Sequence, residues 1–550
     1  MTLDTQVDVP STAPPMQRRA GRVLPAVFAL RRHLWIFALF FVAVVALQLA
    51  SGAYRSEFGS YPDEPAHYVT SLMLRDYLTH FDPLSPVKFA RAYYHHYPKV
   101  AFGHWPPFFY LVQGVWMLLF SASRASVRLE VALTTALLAY SVYLEARRWF
   151  DSRAAAVLAG LLTVCLPIVQ TYTDEEMAET LLVLLCFWSV IHFARYIDSE
   201  RWQNSLWFGL FFSLAVLTKG NGWLLALIPP IALLLTRKLR LFRQRSFWAS
   251  PLLVALLCVP WQLITLESVE RGWDDAGESP LHFVFRYLVD YLQILAGILG
   301  PVLFVVALLG VAVTVIAPAL RRPAASRPAV MGALLVSVWV FHSFVPAGVE
   351  DRKMIPAVPA LVLFLFAGGF WLAARIPVRG ALSKWRPAFV AVLVAILFST
   401  QTFAIPQSTH YGYIEAARFL TSDSRFDHAR ILVSSDSLGE GLLISEIAMR
   451  EPHPSEVILR ATKALADVNW NATEYRCLFT TPRQVLNYLR SHRVDLVVLD
   501  TYPPEVEFSH DKLLREAVAQ YPSAHIIATF SEPSGKVQIY ALNSTAGSQH

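Results

Sequence analysis

Apolar stretches long enough to cross a bilayer recur along most of this chain, and they constrain its fold more than any other feature. A membrane-spanning helix needs roughly 17–25 mostly apolar residues. Runs of that kind lie near 33–50, 127–146, 154–171, 179–197, 248–265, 298–316, 328–346, 355–374 and 387–405. Residues 204–236 hold two shorter runs broken at Thr218-Lys219-Gly220-Asn221-Gly222, where the glycine pair favours a turn. Charged residues fill 16% of the 550 positions, against roughly 25% in soluble proteins. The chain reads as a polytopic α-helical membrane protein. Its net charge of +6 is spread over short clusters between apolar runs, the charge bias of membrane topology rather than a nucleic-acid stripe. Cys165, Cys186 and Cys258 fall in apolar segments and Cys477 stands apart, so no disulfide framework or paired-cysteine metal motif is expected.

Residues 1–32 are polar and Pro-rich, then basic, and read as a disordered cytoplasmic tail before a retained first helix. Segment 105–123, which opens Trp105-Pro106-Pro107, decides the topology. If it crosses fully, Arg147-Arg148 and the loop from Arg237 to Arg245 lie outside. If it dips in or lies along the interface, both fall inside, together with Arg321-Arg322, Arg327 and the Arg375 to Arg386 connection. Lys/Arg bias in short loops selects the second solution. It gives about eleven spans, the N-terminus cytoplasmic and the C-terminal part extracytoplasmic.

Asp63-Glu64, Asp174-Glu175-Glu176, Lys219, Asp274-Asp275 and Glu350-Asp351-Arg352-Lys353 then emerge together on the outer face. Taken singly, each has an ordinary explanation. Asp63-Glu64 could be a solvated loop with an Asp cap. Thr173-Asp174-Glu175-Glu176 could cap the helix starting near 179, since acids suit a helix N-terminus. Glu350 to Lys353 could be an exposed ion-pair loop. The aromatic stretch Tyr93-Tyr94-His95-His96-Tyr97 could bind sugar faces or lie among headgroups. From about 406 the composition becomes that of a soluble domain. Strands near 431–436, 457–459, 494–500, 525–530 and 537–540 alternate with helical patterns near 441–450, 481–492 and 509–520, the signature of a small α/β domain. Gly439-Glu440-Gly441 lacks the rest of a dinucleotide fingerprint and reads as a capped strand-to-helix turn.

The outer-face motifs, in their order, resemble those of the GT-C superfamily of membrane glycosyltransferases, in the bacterial branch related to protein O-mannosyltransferases and lipid A aminoarabinose transferase. Asp63-Glu64 is similar to that family's acidic pair in the first outer loop, and His104-Trp105-Pro106-Pro107 to its H/K-x-P-P segment. Asp174 resembles its second outer acid, Leu217-Thr218-Lys219-Gly220 its L-x-K-G turn, and Arg352 to Pro359 its R-Y-x-x-P-x-x-P stretch, with Lys353 where Tyr is commoner. The resemblance implies a GT-C-like membrane domain over 33–405 with a first outer loop at 51–126, followed by an extracytoplasmic α/β domain at 406–550. It implies transfer of a sugar, hexosyl or pentosyl, from a polyprenyl-phosphate carrier to a lipid, polysaccharide or protein acceptor, with inversion, at the outer face of a bacterial inner membrane.

The residue chemistry fits that expectation. A glycosyl phosphate leaves as an anion, so Lys219 and Arg352 are the candidate stabilising cations. The acceptor needs a base, for which Asp63 is the candidate, with Glu64 and Asp174 placing donor or acceptor. His67, His104 and Tyr68 join Lys219 and Arg352 as candidate substrate-binding residues. A divalent cation, Mg²⁺ or Mn²⁺, held by Asp63 and Asp174 remains open, because relatives differ on this point. The competing reading is a transporter or flippase of lipid-linked sugars, which calls for charges near mid-span or matched broken helices. A non-catalytic scaffold displaying the α/β domain is the third.

Overall fold

The computed structural model describes residues 17–80, 85–101, 103–270, 279–377, 385–452, 454–468, 475–503 and 508–542. Asp274-Asp275 lies outside them. The membrane part begins with α1 (Gln17–Ser51), so residues 17–32 of the expected tail form its first turns. The first loop carries α2 (Glu64–His80), α3 (Pro86–His96) and α4 (Phe108–Leu119). Twelve residues of α4 extend only about 18 Å, well short of the roughly 30 Å hydrocarbon core; segment 105–123 does not cross as a helix.

Then follow α5 (Arg124–Trp149), α6 (Arg153–Cys165), α7 (Pro167–Asp174), α8 (Glu179–Ser199) and α9 (Trp202–Thr218). A 3₁₀ turn (Gly220–Leu227) leads into α10 (Ile228–Leu235), and α11 (Arg245–Glu270) and α12 (Pro280–Leu299) come next. α13 (Pro301–Val311) runs through a π-helical turn (Ala312–Ile316) into α14 (Ala317–Arg321). α15 (Ser326–Phe344), a 3₁₀ turn (Asp351–Ala357) with α16 (Val358–Arg375), and α17 (Arg386–Gln401) complete the bundle. The expected span at 154–171 is bent by 57° between α6 and α7. Leu166, ahead of Pro167, sits in the extended region (φ −62°, ψ 127°) that a following proline enforces. α13 and α16 touch backbone to backbone: a Cβ on Gly310 would lie 1.9 Å from the Phe364 carbonyl, so only glycine permits this crossing.

Among the described residues, eight helices are long and apolar enough to cross a membrane, or nine with the α6–α7 pair. One of the eight, Leu281–Leu299 in α12, is a helix that hydropathy along the sequence did not reveal. Its Leu299 carbonyl accepts from Thr402 Oγ1 at 2.7 Å and its Tyr291 hydroxyl donates to the Gly348 carbonyl at 3.0 Å, both at the acidic end. Phe283, Tyr287, Tyr291 and Leu295, four residues apart, bury one face while Leu281, Phe285 and Leu292 stay exposed on another. Gly220–Leu235 and Arg386–Gln401 are shorter apolar helices, and α9 has 17 residues. The basic connectors gather at the opposite end. There Arg327 Nη1 meets both Glu145 oxygens at 2.6 and 2.7 Å, and Arg237 donates to the Ala319 carbonyl.

Beyond the bundle come α18 (Tyr413–Thr421), β1 (Arg430–Ser434), α19 (Ser437–Arg450), β2 (Val457–Arg460), α20 (Ala461–Ala464), β3 (Ala466–Val468) and β4 (Tyr475–Cys477). They are followed by α21 (Pro482–Ser491), β5 (Leu496–Asp500), α22 (Ser509–Ala519), β6 (His525–Glu532) and β7 (Gly535–Ala541). The main sheet has order β2-β1-β5-β7-β6, with β1 parallel to β2 and β5 and the last two strands antiparallel. All five strands expected from the sequence are present; α18 and the β3–β4 pair are additional. This unit does not hang free. Phe58, Tyr68, Leu72 and Tyr97 of the first loop share a core with Tyr413, Ile431, Ile447 and Val498. Glu57 caps α18 from outside its own chain segment, accepting from the backbone N–H groups of Tyr411, Tyr413 and Ile414. The aromatic stretch of α3 also faces this domain: Tyr97 donates to Glu451 and His96 Nδ1 lies 2.8 Å from the Glu456 carbonyl. Tyr97 and His96 thus make an interdomain contact, while Tyr94 and His95 stay exposed.

Candidate active site

Asp63 and Glu64 part company at the start of α2. Glu64 is fully buried. Its Oε1 pairs with Arg128 Nη1 of α5 at 2.9 Å and accepts from the Glu176 backbone N–H at 2.7 Å; its Oε2 accepts from the Ser60 N–H at 3.1 Å. Burial pushes this carboxyl up, while Arg128 and the backbone donors oppose the shift. With both oxygens committed, Glu64 joins α2, α5 and the α7–α8 connection. Asp63 remains partly open at 15% side-chain exposure, with Arg352 Nη1 3.3 Å from its Oδ2.

Arg352 stands in the 3₁₀ turn before α16, where the Pro356 and Pro359 segment delays the regular helix. It grips Glu350 with two prongs, Nε to Oε2 at 2.7 Å and Nη2 to Oε1 at 2.9 Å, and its guanidinium lies 4.3 Å from the Tyr61 ring centroid. Tyr61 donates to Glu350 as well. Burial alone would raise Glu350, but Arg352, Lys353 and Lys219 outweigh it and hold the carboxyl at about 2. The remaining prong of Arg352, Nη1, points toward both Asp63 and Glu179 Oε1, the latter at 3.8 Å. Lys219, at the break between α9 and the 3₁₀ turn, pairs with that same Glu179 oxygen. Asp63, Lys219 and Arg352 thus converge around Glu179. Glu179, Glu350 and Tyr61 were not among the residues expected from the sequence. Glu179 sits at a helix start and Glu350 two places before Arg352, but neither position alone distinguishes a site residue from a cap or loop ion.

His67 is buried one turn along α2, with Nδ1 3.0 Å from the Tyr110 hydroxyl and its ring 4.4 Å from that of Trp105. Burial, Lys219 and Arg352 depress its pKa, so it is a neutral hydrogen-bonding ring. It props Trp105, and through it the His104-Trp105 corner, whose rings lie 4.7 Å apart edge to face. His104 itself is half-buried, and burial lowers its pKa against the pull of Asp63. Tyr68, expected to bind substrate, is fully buried, stacks on Phe58 at 4.7 Å and donates to the Ala122 carbonyl.

Asp174 ends α7 and is buried, hydrogen-bonded to Ser51 and next to Arg128 and Glu64. It therefore lies on the Glu64 side of the cluster. Nor does the 173–176 stretch cap α8, which begins at Glu179 after Ala178. Glu175 and Glu176 are buried, and burial together with Glu64 raises the Glu175 carboxyl while burial raises that of Glu176. Among the described residues, the three-ligand group within mutual reach is Glu57, His410 and Glu415, not one containing Asp63 or Asp174.

The family model described as dolichyl-phosphate-mannose-protein mannosyltransferase matches residues 104–264. No curated protein matches the chain in sequence. Among solved structures, ArnT from Cupriavidus metallidurans bound to undecaprenyl phosphate superposes with TM-score 0.57 at 15% identity, over 93% of this chain and 99% of that one. The same protein in its apo state gives TM-score 0.57 at 16% identity, with the same shares of each chain. The archaeal oligosaccharyltransferase AglB from Archaeoglobus fulgidus, in complex with an inhibitory peptide and a dolichol-phosphate, gives 0.51 at 14% identity, over 94% of this chain and 75% of that one. This polytopic membrane chain, with its C-terminal α/β unit, has the GT-C glycosyltransferase fold.

Proposed function

We propose that this GT-C-fold membrane protein is a glycosyltransferase that moves a sugar from a polyprenyl-phosphate carrier to an acceptor at the extracytoplasmic face of a bacterial inner membrane. The observation that carries this reading is the convergence of one partly open carboxylate, Asp63, with two cations, Lys219 and Arg352, at one end of the bundle. A mid-span ion site, as a transporter would need, is not where this cluster lies. The solved GT-C structures add support, since one holds undecaprenyl phosphate and another a dolichol-phosphate with a peptide.

In this scheme Arg352 Nη1 and Lys219 Nζ exchange Glu179 for the donor phosphate. Glu350 keeps the guanidinium plane fixed through its two-pronged grip. Asp63 accepts the proton of the acceptor hydroxyl or amine as that atom bonds to the anomeric carbon. The bond from anomeric carbon to phosphate oxygen breaks on the opposite side, and the two cations stabilise the negative charge on the departing carrier phosphate. The anomeric centre inverts. No step is assigned to a metal ion.

A transfer assay with a radiolabelled polyprenyl-phosphate sugar and the cell's own envelope lipid, polysaccharide and protein fractions tests this. The parent should label one fraction, and Asp63→Asn should lower the rate by about 10²–10⁴-fold, the range typical of a lost general base. Full transfer by inserted, folded Asp63→Asn protein would sink the assignment.

A further inference from the structure

The α/β domain contains a cleft of about 390 Å³ that the proposed transfer chemistry does not use. From β1 the chain passes through α19 to β2 on one side of the sheet, while β5 lies on the other. The ends of β1 and β5 diverge at this reversal, where open α/β sheets bind their ligands. Ser435 and Asp436 line the cleft from the end of β1, Asp500 and Tyr502 from the end of β5, and Asp511 from α22.

At this crevice the protein's own carboxylate occupies the helix N-terminus, and Lys512 and Arg515 add cations to the lining. Asp436 Oδ1 accepts from the Leu438 and Gly439 N–H groups at 3.0 and 2.8 Å, so the helix N-terminus that would cradle a phosphate is filled by the protein's own carboxylate. Asp500 is only 6% exposed, and its hydrogen bonds from Tyr413 and Ser435 both fall on Oδ2. Oδ1 accepts no hydrogen bond among the described residues and is left for a ligand. Asp511 is held through Oδ1 by Ser434. Burial raises both carboxyls, against the hydrogen bonds from Ser435 and Tyr413 to Asp500 and from Ser434 to Asp511. Aromatic rings complete the lining: Tyr411 and Tyr502 lie edge to face at 5.2 Å, Tyr502 is fixed by its bond to the Tyr411 carbonyl, and Phe508 joins them.

Carboxylates and aromatic rings lining one cleft match the polar and apolar surfaces of a pyranose. We propose that this cleft is a saccharide-binding site. α19 connects it to the proposed active site: its N-terminal turn lines the cleft, while a Cβ on Gly441 would lie 3.0 Å from both Pro65 and Lys99 of the first loop. If the chain is a glycosyltransferase as proposed, the cleft holds sugar units of the acceptor away from the reacting one; the binding itself does not depend on that reading.

Saturation-transfer NMR on the full-length protein in lipid nanodiscs, with maltotriose, mannotriose and the glucosamine trisaccharide as probes, tests the site. At least one probe should receive saturation at its ring protons. The signal should fall at least about fivefold in Asp500→Asn and in Asp511→Asn, and persist in Asp63→Asn, which separates the cleft from the active site. Asp511 lies at the rim, so Asp511→Asn decides the matter if Asp500→Asn does not fold. Absence of transfer from all three probes to the parent overturns the proposal. So do equal signals in the parent and Asp511→Asn, loss in Asp63→Asn, or displacement of the probe by inorganic phosphate.

Discussion

Arg128 Nη1 lies 2.9 Å from Glu64 Oε1, and both side chains are closed to solvent. This pair locks α2 to α5 and fixes the backbone of the neighbouring Asp63, which faces Arg352 instead. Two adjacent acids thus divide into one that holds the site and one that is free to act in it.

Removing one partner of a buried ion pair strands the other charge, at a cost of about 3–5 kcal/mol. Glu64→Gln should therefore lower the thermal stability of the purified protein markedly. The double variant Glu64→Gln/Arg128→Met should recover part of that loss. A fully stable but inactive Glu64→Gln protein would return Glu64 to the catalytic set.

Arg352 uses its planar fork for Glu350 and its third prong for Asp63 and Glu179. A lysine cannot reproduce both. Arg352→Lys should reduce transfer by about 10–100-fold, and Lys219→Ala should raise the donor KM and lower kcat together, as expected for cations acting on the carrier phosphate. Steady-state kinetics with a short-chain donor would check both; unchanged donor kinetics in Lys219→Ala would remove it from the site.

Tyr68→Phe is the contrasting case. It deletes one buried hydrogen bond to the Ala122 carbonyl, costing about 1 kcal/mol, and should leave donor KM unaltered. A large rise in donor KM at unchanged stability would restore Tyr68 as a substrate ligand.

His410 joins the two halves of the molecule, with Nδ1 3.0 Å from Glu57 and Nε2 3.1 Å from Glu415. The hydrogen bond to Glu57 raises its pKa to about 9, against the opposing effect of burial. A histidine raised in the folded state contributes stability that is complete below its unfolded pKa, roughly 6.5, and is lost as pH climbs through the folded value. The thermal stability of the parent should therefore fall between about pH 6.5 and 9, and His410→Gln should flatten that slope. An identical pH profile in the variant would exclude His410 as its source.

Much of the membrane architecture was legible because it follows from local rules. Spans announce themselves by length and hydropathy, and basic loops by their charge, which is why Arg147, Arg237 and Arg327 fall at one end and Asp63, Lys219 and Arg352 at the other. α12 escaped because its buried and exposed faces alternate around a helix broken by Arg286 and Asp290, so no continuous apolar run marks it. The five strands at 430–541 were equally plain from their β-branched runs.

What the sequence determined by itself was the class of molecule, the order of its motifs, and the set of charged residues brought to one end. It could not divide Asp63 from Glu64, because adjacent residues share every local property. Only the tertiary structure decided that Glu64 is sealed against Arg128, that Tyr68 packs inward, and that Glu179 and Glu350 complete the cluster. The reason is physical: a carboxylate's role depends on which cation and which backbone donors reach it, and the deciding ones, Arg128 and the Glu176 N–H for Glu64 and Arg352 for Asp63, come from segments distant in the chain.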